Sequence, residues 1–232
     1  MRKGATVMEN LALMKESVAL GIRLDGNLIT CFPGSTEDEV QETLVNLDFV
    51  LPFTPLTGAA FFLGYGCEVA KKPSDYGIRA IVQHPNNRKL FPPHVLSGLT
   101  LLINDYRGDR AHQRKLWQPV VKKIRDWQRF HEARRCPAHL VPPLSYRDAG
   151  NLLIIRQELP GQATLHHRLR GASRAIYLAC DTVVEFAELA RMFPKLSTTQ
   201  LATFLGELTA KRLLFAQGTR YLALAVHMQR GL

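Results

Sequence analysis

Cysteine and histidine are the side chains here best suited to hold a metal ion, and their spacing argues against one. Cys31, Cys67, Cys136 and Cys180 are scattered along 232 residues, with no CxxC or CxxxC pair. Zinc sites and iron–sulfur clusters draw on closely spaced thiolates, so no local metal site is expected. A disulfide framework is not expected in a chain this long, and the cysteines read as small buried hydrophobes. His166 and His167 are neighbours in an extended segment. Adjacent strand residues face opposite sides, so the pair does not chelate one ion. His84 and His94 flank a proline-rich stretch with no cysteine or carboxylate at ligand spacing, and read as surface residues.

One stretch has the layout of a ligand-binding connection. Residues 24–30 form a strand candidate that runs into the turn Phe32-Pro33-Gly34. Thr36-x-x-Glu39 follows as a capping box, opening a helix over 36–48 with Val40, Leu44 and Leu47 inward. Thr6-x-x-Glu9 is a second capping box. It opens a helix within residues 1–20 that carries Leu11, Met14 and Val18 on one face and ends at Gly21. Residues 59–63, Ala-Ala-Phe-Phe-Leu, lack polar alternation, as in a parallel strand covered on both faces. Helix, glycine, strand, turn, helix is half of an α/β layered unit with parallel strands. Ligands of α/β barrels bind at strand C-termini, which is where Cys31 to Ser35 fall. An ordinary strand–turn–helix connection is the alternative.

The remaining elements would position that turn. Residues 71–93 carry Pro73, Pro85, Pro92 and Pro93 and are expected to form a long irregular loop. Residues 112–135 read as one basic helix, with Leu116, Val120, Val121, Ile124, Trp127 and Phe130 as its apolar stripe. Pro137, Pro142 and Pro143 mark a linker, dividing the chain into regions 1–136 and 145–232. Beyond it, residues 152–157, 163–169 and 174–180 read as three strands with turns at Pro160-Gly161 and Gly171. Helices are expected over 183–192 and 198–211, the second capped by Ser197, then a hairpin across Gln217-Gly218-Thr219. Helix, helix, hairpin is the order of a winged helix.

Three stretches resemble a known family. Met1 to Thr6 with LALMKESVALGI and GNLITCFPGSTEDEV, then GAAFFLGYGCEVAKKPSDYGI, then AIYLACDTV with RLLFAQGTRYLALAV, are similar to the second half of radical S-adenosylmethionine (radical SAM) proteins. The subgroup is the cobalamin-binding-domain proteins that mature ribosomally made peptides. The resemblance covers most of the chain. It implies an α/β fold: the C-terminal part of a (β/α) TIM-like barrel with a helical extension over 1–136, then a winged-helix-like α+β domain over 145–232. It implies chemistry of a C-methyltransferase type with SAM, a [4Fe–4S] cluster and cobalamin. Asn27, Ile29, Cys31, Pro33 and Gly34 are the positions it places at SAM. Cys31 stands where the family usually has Gly, and Ser35 where it usually has Glu, so SAM binding is expected to be weak. The family's CxxxCxxC loop is absent from the sequence, so no cofactor is expected on this chain alone. Catalysis then needs an N-terminal barrel half, from a partner chain or a longer reading frame.

Composition narrows the partners. Hydrophobic residues make up 46% and charged residues 22%, as in folded soluble proteins. No apolar run approaches the ~20 residues of a membrane span, and no signal-peptide core is visible, so a cytoplasmic protein is expected. A net charge of +10 suits an acidic peptide or nucleic acid, and equally a solvated basic surface. In the tail, a docked precursor peptide forming an extra strand on 152–157 is one reading. DNA in contact with helix 198–211 is another, and a structural cap is a third. Only Gln200 near that helix's start suits base reading, which argues against sequence-specific DNA binding. The runner-up for the whole chain is a non-enzymatic basic winged-helix protein binding nucleic acid or peptide.

Overall fold

A computed structural model describes residues 4–135 and 141–228. The chain is mixed α/β, with four separate sheets and no closed barrel among the described residues. The described residues divide into two compact units, one of 26–44 and 56–125, the other of 4–25, 45–55, 126–135 and 141–228. The division does not run along the sequence as 1–136 and 145–232. The first helix, α1 (Val7–Ala19), belongs with the C-terminal region. Pro137, within the expected linker, lies outside the described residues.

The first unit begins with β1 (Asn27–Thr30), followed by α2 (Glu37–Asn46) and β2 (Thr57–Ala60). β1 and β2 pair in parallel, Asn27 opposite Thr57 through Thr30 opposite Ala60. The capping box of α2 forms: Thr36 N–H donates to Glu39 Oε2 at 2.9 Å and Glu39 N–H to Thr36 Oγ1 at 3.3 Å. Residues 71–93 are not one irregular loop. β3 (Leu63–Gly64), α3 (Glu68–Lys71), a 3-10 turn (Pro73–Tyr76), β4 (Ala80–Gln83), α4 (Pro85–Leu90) and α5 (Pro93–Leu96) come first. β5 (Ile103–Arg107) then lies between β3 and β4, antiparallel to both. Prolines stand at the first turns of α4 and α5, where a missing N–H costs nothing, so they start these helices rather than break them. Leu63, Val69, Ile78 and Tyr106 form the buried core, with Phe32, Phe61 and Tyr76 packed on it.

The expected basic helix over 112–135 is two helices, α6 (Arg110–Leu116) and α7 (Gln118–Ala133). Pro119 lacks the N–H that would bond back to Lys115, and its ring clashes with that carbonyl, so the helix restarts there. Of the expected stripe Val120, Ile124 and Trp127 are buried and Leu116, Val121 and Phe130 half-buried; Trp117, outside the stripe, is buried too.

In the second unit, β6 (Leu144–Asp148), β7 (Leu152–Gln157) and β8 (Leu165–Arg170) form an antiparallel meander. Residues 174–180 are not a third strand. They lie in and just after α8 (Gly171–Ala179), whose Ile176 and Tyr177 are buried together with Cys180 one turn on. The order continues with β9 (Val184–Glu185), α9 (Phe186–Met192), α10 (Thr198–Ala210), β10 (Leu214–Gln217), β11 (Arg220–Ala223) and β12 (Val226–His227). β10 and β11 make the expected hairpin, β9 adds to β11, and β12 pairs in parallel with β6. Ser197 caps α10 in a capping box with Gln200.

α1 is tied into this unit. Met8 N–H donates to Gln217 Oε1 at 3.2 Å. Lys15, only 3% exposed, donates through Nζ to the Asp181 carbonyl at 2.5 Å and to Asp181 Oδ1 at 2.8 Å. Burial, with the charge of the nearby Asp181 carboxylate, raises the Tyr146 phenol. Tyr177 OH donates to the Leu213 carbonyl and accepts from Ala225 N–H, fixing α8 against the start and end of the hairpin segment.

Candidate functional site

Two places hold chemistry-bearing residues: the end of β1 in the first unit and the open face of the meander in the second. At β1, two-residue alternation puts Asn27 and Ile29 on one sheet face with Thr57 and Ala59, and Leu28 and Thr30 on the other with Gly58 and Ala60. A Cβ on Gly58 would meet the Ile124 side chain at 3.3 Å, so α7 covers the Leu28 face. Asn27 and Ile29 therefore sit on the opposite face, with Asn27 exposed and Ile29 half-buried.

The strand ends at Cys31, which has φ +56. A non-glycine residue in the left-handed region costs about 1–2 kcal/mol, and such strain concentrates at functional sites. Pro33 is buried, and Gly34, at φ +76, makes the tight turn. A Cβ on Gly34 would lie 3.5 Å from the Tyr76 backbone. Phe32 packs edge-on against Phe61 and Tyr76, with ring centroids 5.0 and 5.8 Å away. Cys31→Gly is expected to raise stability by about 1 kcal/mol, glycine relieving more strain than it adds in unfolded-chain entropy. Chemical denaturation checks this; an unchanged or lower midpoint would mean that the cysteine's own contacts outweigh the strain.

Behind the turn lies a polar line that sequence reading missed. Gln113, 1% exposed, donates through Nε2 to the Ser35 carbonyl at 3.1 Å and to Asp109 Oδ2 at 2.8 Å. Its Oε1, Asp109 Oδ1 and Trp117 Nε1 are buried without partners. The four-residue spacing of Asp109, Gln113 and Trp117, at the start, middle and end of α6, was the available signal. Arg110 lies 4.8 Å over the Tyr106 ring and pairs with Asp105.

The second place is a sheet face. Cross-strand partners share a face, so Ser145, Arg156 and His166 line up, as do Arg147, Ile154 and Arg168, and Leu152 with Arg170. Leu144, Tyr146, Leu153, Ile155 and Gln157 point the other way and are buried. A concavity of about 290 Å³ opens on the first face, lined by Ser145, Arg147, Ile154, Arg156, His166 and Met228 among others. Glu158 is clamped by Arg134 and Arg156. Burial alone would raise its carboxyl, but hydrogen bonds from the two guanidinium groups outweigh this and hold it below the usual range. Nη1 of Arg156 is buried without a partner.

No protein-family model, curated protein or solved structure matches the chain. Its chemistry rests on its own residues. Cys31 and Cys67 are half-buried in the first unit, and Cys180 is buried in the second. Cys136 lies outside the described residues. Burial pushes the Cys180 thiol up to about 12. This set does not fit a three-thiolate [4Fe–4S] site. Among the described residues, no group of three His, Cys, Asp or Glu is placed to hold a metal ion. No helix among them is long and apolar enough to cross a membrane.

The expected docking strand changes. β7 (152–157) is not an edge, because β6 and β8 pair on either side of it. β6 was unread, coming straight after Pro142-Pro143 with polar residues mixed in. The outer side of β8 pairs with no strand among the described residues. His166 and His167 do face opposite sides: His167 Nε2 lies 2.9 Å from Gln157 Oε1, while His166 lines the concavity. His84 caps α4 through Nδ1, and His94 is exposed.

Two histidines make stability depend on pH. Burial pushes His131 and His167 below the ordinary imidazole value; the cations Arg134 and Arg135 add to this at His131, and Lys211 at His167. Their neutral forms favour the fold, so this contribution is complete above about pH 6.5 and shrinks as pH falls through it. Unfolding free energy is expected to be lower at pH 5.5 than at pH 7.5. His131→Gln with His167→Gln should flatten that slope; an unchanged slope would assign the acid sensitivity elsewhere.

Proposed function

We propose that the chain is the C-terminal portion of a radical SAM peptide-maturation protein, in which the second unit recognises the precursor peptide by strand addition. The observation that carries this reading is the free outer edge of β8, a strand of sequence LHHRLR with two arginines and no acid. An unpaired edge offers a row of N–H and C=O groups to an extended peptide, and the cations beside it favour acidic sequence. The order α8, β9, α9, α10, β10, β11, with β9 added to the hairpin, supports a winged-helix-like tail. In the first unit, the parallel pair β1–β2 with α7 over its Leu28 face supports a segment of a TIM-like barrel wall, inner residues Asn27 and Ile29. That wall and the Cys31–Gly34 turn would form one side of a SAM site. SAM supplies the radical and methyl chemistry when bound together with a cluster. The residues here only bind and orient, and the cluster-binding half comes from elsewhere.

The test uses the full chain, titrated with a twelve-residue acidic peptide and with duplex DNA at two salt concentrations. Peptide binding that broadens or protects the amides of residues 165–170 is expected. DNA binding with a steep salt slope, and none by peptide, would replace this reading with a basic nucleic-acid-binding protein.

A further inference from the structure

We infer that the peptide recognised at β8 is one in which acidic and apolar residues alternate. This rests on the strand-addition reading and specifies its substrate class. The two sides of β8 differ in chemistry. His166, Arg168 and Arg170 lie on the open face, next to Arg156 of β7, with Arg147 one strand further in on β6. Leu165, His167 and Leu169 lie on the other face, continuing the apolar layer of Leu144, Ile155 and Leu153. That layer is not finished at the edge: Leu165 is 40% exposed, while Leu153 and Ile155 are fully buried.

A strand added beside β8 lies about 4.8 Å away and alternates its own side chains between the same two faces. On the open face its nearest neighbours are the exposed Arg168 and Arg170, with His166 at the other end of the strand. There a carboxylate near His166 stands beside the concavity that Arg156 also lines. On the opposite face its side chains extend the half-covered Leu165–Leu169 layer. Six residues of β8 thus select about three acids at alternate positions, with apolar residues between them. A nucleic acid fits this face less well. The strand side chains that register places on it are Ser, Arg, Leu, Ile and His, none of them a Phe, Tyr or Trp on which bases would stack.

Three peptides of identical composition test this on the full chain: alternating Glu and Val or Leu, the same residues in two blocks, and a scramble. The alternating peptide is expected to bind at least tenfold more tightly than either. Arg168→Glu with Arg170→Glu should remove that preference, and should bind a peptide with Lys in place of Glu. Both arginines are exposed, so the melting temperature should hold; Arg168→Gln with Arg170→Gln gives a milder variant if it does not. Equal binding by all three peptides, with amide changes still at 165–170, would overturn the alternation and leave strand docking standing. Binding by none would overturn both, as would binding by duplex DNA alone.

Discussion

Asp181→Ala is expected to lower the unfolding free energy by about 3 kcal/mol, because it strands a buried ammonium. Lys15 reaches its depth on α1 by bonding both the carboxylate and the carbonyl of Asp181. Removing the carboxylate leaves Lys15 one carbonyl. The Asp181 side chain is 42% exposed, so water enters on that side and the lower end of the range for broken buried pairs applies. In a chain of this length such a loss lowers the melting temperature by roughly 10 °C. Lys15→Met should cost less, since the charge it leaves behind is the half-exposed one. The double variant should be more stable than Asp181→Ala alone. Thermal melts of the three variants at neutral pH check the ordering; equal losses for both single variants would mean that packing, rather than the unpaired charge, sets the cost.

That pair also shows what could be read before the fold was known. Capping boxes are local, so Thr6 with Glu9 and Thr36 with Glu39 were legible from spacing alone, and all their bonds form. The apolar stripe of α7 was legible for the same reason. Residues 174–180 were misread because Ile176 and Tyr177 favour a strand, although Ala175, Leu178 and Ala179 around them favour the helix that forms. β4, α4 and α5 are only four to six residues long, too short for periodicity to declare itself. The candidate site was half legible. Cys31 to Gly34 could be placed at a strand end, but the left-handed backbone of Cys31 is not written in its residue type. The basic face could not be seen at all: Arg147, Arg156 and Arg168 come from three strands, and only register brings them together. Lys15 and Asp181, 166 residues apart, depend on the tertiary fold in the same way.

Glu158→Ala is expected to pull stability and binding in opposite directions. Glu158 and Arg134 are each only 11% exposed, and Arg134 donates through Nε to Glu158 Oε2 at 2.5 Å. Removing the carboxylate leaves a nearly buried guanidinium that still donates to the Val141 carbonyl at 2.7 Å. Breaking a pair of this kind costs about 3–5 kcal/mol. The same change frees Arg156, which lines the concavity, and removes the acid that neutralises that part of the open face. An acidic peptide on β8 should then bind several-fold more tightly at low salt, an advantage that fades as salt screens the exposed charges. Glu158→Gln should keep more of the stability by preserving shape and an acceptor for Arg134. A melt and a peptide titration on each variant separate the two effects. Lower stability with unchanged peptide affinity would confine Glu158 to holding Arg134, and would remove Arg156 from the peptide-binding surface.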